Sequence, residues 1–420
     1  MKILVITSKE VTGLNYHRQL IPHKHLSVNY SYDVTYAEGL DVLTDKELKE
    51  FEVVTFLRIV DTNGNSSSII QRAKDAGCKT ILDIDDYWKL PNSHGLAQTY
   101  IDNKIEKQTL ESVSNVDWVT TTTEHFADKL KDYNENVVVI PNSIWGDEDQ
   151  FAVRESQSDR VRFGWIGGVF HLPDIKLLHE GFKDVWSNVN NDKFQLCLGG
   201  YNFPDKYQYV CNVLANGDMD KQSRSKFEYY KKELFEGRDI PDVLIFNNVY
   251  NNIPQYDLIE FYFTFGGKYP KDEEYKKYLE KKKQEDLHIM DSQPYKRLWG
   301  KSAAEYATLY NDIDVSLVPL VESNFNSFKS QIKIIEAGWF KKAAIVSNVM
   351  PYTIDCNRSN SILISPSKRN DGWGTAIKSL ILNPNKREDL AEQLHEDVKS
   401  KYDMNIVNKV RHDLYQKLKQ

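Results

Sequence analysis

Three carboxylates follow a short apolar run in the stretch Thr80-Ile81-Leu82-Asp83-Ile84-Asp85-Asp86-Tyr87-Trp88. Acids at this spacing can chelate a divalent cation, with Asp83 and Asp85 as a D-x-D pair, or serve as base and hydrogen-bond acceptors. Packed this closely they repel one another, which raises one pKa toward the working range of a base. A second set lies in YNDIDVSLVPLVESNFNSFKSQIKIIEAGW (310–339). The pattern predicts a strand over Val315–Val318 and a helix from about Asn326 to Phe340, with Ser323, Asn324 and Asn326 available as caps. On that helix Lys329, Lys333 and Glu336 fall at i, i+4 and i+7 and share one face. A lysine in the first turn is unfavourable for the bare helix, whose exposed N–H groups already favour an anion, and makes sense when a phosphate arrives. Glu336, flanked by Ile334, Ile335 and Ala337, sits deeper and suits the vicinal hydroxyls of a ribose. The same three residues also fit an ordinary Lys–Glu ladder on a surface helix.

Two glycine-bearing turns add candidates. FGWIGGVFHLPDI (163–175) sets Gly167 and Gly168 behind an apolar run, where a missing Cβ lets backbone approach a phosphate. His171, just beyond, could balance charge developing on a leaving group, or could be incidental to Asp174 capping the next helix. GLNYHRQLIPHKHL (13–26) offers Gly13 and then His17-Arg18, and an arginine there can grip phosphate bidentately or simply face solvent. His23 and His25 have no metal-ligand spacing, and His94 lies in a loop that could approach the same cleft.

These groups need a scaffold, and the rhythm of the chain supplies one. Short β-branched runs at Ile3–Ile6, Tyr32–Tyr36, Val53–Leu57, Thr80–Ile84, Trp118–Thr122 and Val137–Ile140 alternate with helical stretches near 14–26, 65–77, 103–115 and 124–132. A polar linker spans 141–160, after which the pattern restarts at Val161–Ile166, Phe194–Leu198, Val243–Phe246, Val315–Val318, Ala344–Ser347 and Ile362–Ile364. Continuous apolar strands alternating with helices predict parallel sheets covered on both faces. The expected division is 1–150 and 151–400, with a charged, aromatic helical insertion over about 201–298 and a C-terminal helix at 401–420 packing back on the first domain. In such sheets ligands bind outside the carboxyl ends of the strands, so two facing domains make a cleft.

With 420 residues, 40% hydrophobic and 27% charged, the chain has a globular balance and room for two cores. A net charge of −7 counts against a nucleic-acid-coating surface. Cys78, Cys197, Cys211 and Cys356 are scattered without a C-x-x-C pair, so reduced thiols are expected. The short apolar run in MKILVITSKE falls below a signal-peptide core, and no run reaches membrane-spanning length, which predicts a cytoplasmic protein.

The phrase Y-x3-YNDIDVSLVPL…FNSFKSQIKIIEAG resembles the donor-site region of the GT-B glycosyltransferases, in particular the bacterial and phage "glycosyl transferases group 1" type. The two glycine turns and the run D-x-D-D-x-W are similar to other parts of that family. The resemblance implies α/β architecture with two Rossmann-like domains facing across a cleft, and transfer of a sugar from a nucleotide-diphosphate donor to an acceptor hydroxyl. It implies that Glu336 holds the ribose, that Lys329, Ser330, Lys333, Gly167 and Gly168 lie along the diphosphate, and that Gly13 and Arg18 approach from the first domain. Asp85, Asp86 and His171 are the implied catalytic groups. The family pattern Glu-x7-Glu is broken, because Phe328 stands eight positions before Glu336, leaving Glu322 or Asn326 to contact the sugar. The resemblance further implies a retaining, metal-independent transferase using a UDP- or GDP-sugar and no further cofactor. Its acceptor would be a glycan, a lipid-linked glycan or, less favoured, a modified phage DNA base. The alternatives are a D-x-D metal-dependent transferase and a non-catalytic scaffold on the same fold.

Overall fold

A computed structural model describes residues 1–92, 94, 96–168, 171–200, 273, 277, 280–281, 295–298, 300–367 and 372–419. The first domain is built on β1 (Lys2–Ile6), β2 (Asp33–Ala37), β3 (Val53–Leu57), β4 (Lys79–Asp83), β5 (Trp118–Thr121) and β6 (Val137–Val139). They form a sheet in the order β2-β1-β3-β4-β5-β6, every pair parallel. The second domain contains β7 (Val161–Ile166), β8 (Phe194–Gly199), β9 (Tyr295–Leu298), β10 (Val315–Val318), β11 (Ala343–Ser347) and β12 (Ile362–Ile364). Their order is β12-β11-β10-β7-β8-β9, again all parallel. Side chains on both faces of the central strands are buried, among them Ile3, Leu4 and Val5 in β1 and Val315 and Leu317 in β10. That is why these strands read as unbroken apolar runs rather than alternating ones.

Two expectations change. The strand expected at Val243–Phe246 and most of the insertion lie outside the described residues, but Tyr295–Leu298, placed inside that insertion, is an edge strand beside β8. The helix expected from Asn326 to Phe340 is two helices, Asn324–Ser327 and Ile332–Trp339. The break has a cause in packing. Phe328 leaves the helical path to insert into the first domain, stacked on Tyr87 at 4.6 Å and His125 at 4.7 Å between ring centroids. Lys329 therefore sits on the link between two helices, while Lys333 and Glu336 keep their common face.

The C-terminal helices tie the domains together. Helix Pro384–Tyr402 packs against Ile332–Trp339 so closely that a Cβ on Gly338 would lie 2.5 Å from Val398 Cγ2 and 2.8 Å from the Leu394 carbonyl. After a single parallel bridge between Ile144 and Asp403, helix Met404–Leu418 returns to the first domain. There it packs on helix Ile21–Tyr30, with the Asn408 amide donating to the Pro22 carbonyl at 2.7 Å. Cys78, Cys197 and Cys356 are buried free thiols. Among the described residues no helix is long and apolar enough to cross a membrane.

His23 shows how this clasp depends on pH. Its Nδ1 donates to the Gln19 carbonyl at 2.6 Å, so Nε2 accepts from the Tyr415 hydroxyl at 2.7 Å. Burial, helped by the Arg411 charge, pushes the imidazole down to about 3. The unfolded chain binds this proton near the ordinary value of about 6.5 and the folded one does not. Stability is therefore full above that value and falls as pH drops from about 6.5 toward 3, by roughly 1.4 kcal/mol per unit for this group. Urea unfolding of the wild type and His23→Gln at pH 7.5 and 5 checks this. The stability difference between the two pH values should shrink in the variant, and an unchanged difference would sink the assignment.

Candidate functional site

The first-domain wall of the cleft starts from a buried ion pair. Asp83 ends β4, and Arg18 meets it bidentately, Nε to Oδ1 and Nη2 to Oδ2 both at 2.8 Å. The rest of the guanidinium is used on the Ile140 carbonyl at 2.8 Å and Asn142 Oδ1 at 3.2 Å, while Thr120 donates to Asp83 Oδ2 at 2.6 Å. Arg18 lines the cleft but is only 1% exposed, so its fork is already engaged. Helix Ile21–Tyr30 is entered through one π-helical segment, Tyr16–Leu20, which carries His17 and Arg18.

Asp85 and Asp86 then emerge at the carboxyl edge, where one residue holds both. Arg58 follows β3 with φ of 58°, a left-handed conformation uncommon outside glycine, asparagine and aspartate. Its backbone N–H donates to the Asp83 carbonyl at 2.7 Å. Its Nε donates to Asp85 Oδ1 at 2.8 Å and its Nη2 to Asp86 Oδ2. Lys329 Nζ approaches Asp86 Oδ1 at 3.6 Å from the second domain and lies 4.7 Å over the Phe325 ring. Burial would raise both acids, but Lys329 and Arg58 overrule it at Asp86 and hold that carboxyl at about 2. At Asp85 burial, reinforced by the Asp86 charge, prevails over Arg58 and the pKa goes up. The pair is thus polarised: one acid firmly ionised, the other nearer to taking a proton.

The second-domain wall faces it. Gly167 and Gly168 follow β7, and a Cβ on Gly167 would sit 2.6 Å from Lys333 Nζ and 2.7 Å from Trp165 Cζ2. Lys333 donates to the Ile166 carbonyl and lies 4.8 Å over the Trp165 ring; burial pushes its ammonium down to about 8. His171 donates from Nδ1 to Asp174 Oδ2 at 2.8 Å, and Asp174 Oδ1 accepts the Val321 N–H at 2.8 Å. Asp174 lies inside helix Leu172–Ile175, where it orients the histidine rather than capping. Burial lowers the His171 pKa against the pull of Asp174, and His171 is among the residues that line the cleft.

Glu336 is 3% exposed and accepts from two tyrosines, Tyr306 at Oε1 and Tyr310 at Oε2, the latter at 2.9 Å. The Tyr306 hydroxyl in turn accepts from His17 Nε2 at 2.8 Å, so this chain crosses between the domains. Burial raises the Glu336 pKa against these bonds and lowers His17 to about 4. A second crossing runs from Asn142 to the Ser330 hydroxyl at 2.8 Å.

All these walls enclose one cavity of about 340 Å³, within the size range of small-molecule sites. Gly13, Arg18, Asp85, Asp86, Gly167, Gly168, His171, Lys329, Ser330, Lys333 and Glu336 all line it. Asn326 does not: its amide donates to the Val321 carbonyl at 2.7 Å and its N–H caps onto Ser323, stapling the loop. Glu322 is not among the lining residues either. Arg58 and Asn142 line the cavity without belonging to any sequence motif, and Tyr306, which opens the Y-x3-Y pattern, lines it as well. Among the described residues no cluster of three or more His, Cys, Asp or Glu side chains is placed to hold a metal ion.

Arg58 makes the polarisation testable. In Arg58→Ala the carboxyl titration of Asp86, followed by carbon NMR, should move up from about 2 toward the ordinary aspartate range. An unmoved midpoint would show that Arg58 does not set the charge of this wall.

No protein-family model matches the chain, and no curated protein matches it by sequence. Solved structures do match its fold over nearly its whole length. A glycosyltransferase from Rickettsia africae is 12% identical with a TM-score of 0.57, over 100% of this chain and 98% of that one. Sucrose-phosphate synthase from Thermosynechococcus elongatus is 12% identical with a TM-score of 0.56, over 100% and 99%. HepE from Anabaena, crystallised with UDP-glucose, is 12% identical with a TM-score of 0.54, over 99% and 100%. Two parallel-sheet domains closing on one cleft, matched end to end by these structures, are the GT-B fold.

Proposed function

We propose that this protein is a glycosyltransferase that moves a sugar from a nucleotide-diphosphate donor to an acceptor hydroxyl. The observation that carries the reading is the asymmetry of the cleft: Lys329, Lys333 and the Gly167–Gly168 turn on one wall, and a polarised carboxylate pair on the other. The first wall suits a diphosphate, the second a hydroxyl. The GT-B fold, shared with a structure that binds UDP-glucose, supports a UDP donor, with a GDP-sugar as the other candidate.

In this reading the diphosphate lies against the glycine turn with Lys329 and Lys333 as counter-charges, and the ribose hydroxyls bond to Glu336 in place of the Tyr306 hydroxyl. Gly13 and Arg18 close the first-domain side. His171, oriented by Asp174 through its Nδ1–H, donates from Nε2 to the departing phosphate when that nitrogen carries a proton. Closure of the cleft excludes water that would otherwise hydrolyse the donor. Retention of configuration fits because Arg58 occupies both carboxylates, so the leaving phosphate itself takes the acceptor proton while Asp85 and Asp86 orient the hydroxyl. Metal-independent transfer fits for the same reason: the oxygens of Asp83 are used by Arg18 and Thr120, and an oxygen of each of the other two acids is used by Arg58. The acceptor we propose is a glycan or lipid-linked glycan, since the net charge of −7 does not favour nucleic acid.

A thermal-shift panel of UDP and GDP, each with and without EDTA, separates the readings. One nucleotide should stabilise the protein by about 2.7 kcal/mol at a hundredfold excess over its dissociation constant, and EDTA should leave that intact. Stabilisation that appears only with added manganese would replace this mechanism with a metal-dependent one. Lys329→Ala and Glu336→Ala should each weaken nucleotide binding at least about tenfold, the loss of one charge-assisted contact. Wild-type affinity in both would overturn the donor assignment.

A further inference from the structure

We propose that a second cavity, in the first domain, anchors an acceptor that carries an anionic group on an aliphatic body. The proposal rests on the glycosyltransferase reading above and names the acceptor class that it leaves open. The cavity measures about 600 Å³ and lies between the chain leaving β4, helix Ala97–Asp102 and helix Ile105–Asn115. Its interior is aliphatic and aromatic, with Leu90, Ile101 and Leu110 on the walls over the buried Trp88. Ile101 is 63% exposed at this cavity, a large apolar side chain left facing water.

The rim is cationic. Lys89, Lys104 and Lys107 line it against one acid, Glu106, and none of the three lysines has an ion-pair partner among the described residues. In a chain of net charge −7, three lysines against one acid around an apolar hollow are a local reversal of sign. They match an anion whose attached body is buried below it. The walls offer little to a sugar in this position, because buried glycan hydroxyls need amide or carboxylate partners, and among the described residues Asn92 and Glu106 are the amide and the carboxylate that line the cavity.

Position connects the cavity to the chemistry. Tyr100 lines it and lies close enough to Arg58, Asp86 and Asp85 for their charges to act on its phenol. A molecule anchored here can extend its reactive end past Tyr100 to the carboxylate pair. Binding energy from this remote part is then available to hold the hydroxyl in line.

The probe is decyl phosphate below its micelle concentration, titrated by tryptophan fluorescence and calorimetry, with inorganic phosphate and decyl glucoside as partial ligands. Decyl phosphate should bind more tightly than either partial ligand. The exposed double variant Lys104→Glu/Lys107→Glu should weaken it about tenfold, and Ile101→Ser several-fold, with UDP affinity unchanged in both. Equal binding of decyl glucoside, equal binding by the charge-reversed variant, or binding only to anionic phospholipid vesicles would overturn the proposal. The last result would make the patch a membrane-surface contact. If UDP fails to bind the wild type while decyl phosphate behaves as described, the donor reading falls and the anionic anchoring site stands.

Discussion

The buried pair of Arg18 and Asp83 is the contact on which the cleft is built. One guanidinium reaches the end of β4, the carbonyl that follows β6 and the side chain of Asn142, and so ties helix, sheet and interdomain crossing at one point. Removing one partner of such a pair leaves a charge stranded away from water, at a cost of about 3–5 kcal/mol. Its role here is positional. With Asp83 held by both oxygens, the chain beyond it leaves the sheet on a fixed course, and Asp85 and Asp86 arrive at the edge where Arg58 waits. The course of Asp85 and Asp86 is thus set by a carboxylate whose own oxygens are already used by Arg18 and Thr120.

The opposite domain meets this wall through aromatic rings. Phe328 occupies a slot lined by Tyr87, His125 and Phe126, so a residue of the second domain is a member of the first domain's core. The same insertion stops the helix and leaves Lys329 on the turn that faces Asp86. Nearby, Glu336 holds two phenol hydroxyls, that of the buried Tyr310 and that of the half-buried Tyr306.

How much of this is legible in the sequence depends on the range of the interaction. The strands are readable because their burial on both faces leaves an apolar run such as Val315–Val318, and the glycine turn because Gly167 and Gly168 close such a run. Residues carried by those strand ends and by the 306–348 segment fall in one cleft for the same reason. Asn326 misleads, since a short polar side chain in a loop serves a local staple as readily as a ligand. The helix break at Phe328 is hidden because helical periodicity records which residues are apolar and not which domain receives them. Arg58 carries no motif at all: its importance comes from a left-handed backbone and from two acids far along the chain. Tyr306 opens the Y-x3-Y pattern, yet its contact with His17 spans 289 positions, beyond any local rule.

The bridge between Ile144 and Asp403 has a mechanical meaning. Among the described residues the chain passes between the domains at two places, and these lie side by side, joined where Ile144 N–H donates to the Tyr402 carbonyl at 2.9 Å and Met404 N–H to the Ile144 carbonyl at 2.8 Å. A single connecting strand acts as a swivel about which two bodies can twist and bend freely. Two strands bonded together resist torsion as well as separation. This paired edge, together with Phe328 seated in the first domain's core, holds Lys329 at 3.6 Å from Asp86 across the cleft.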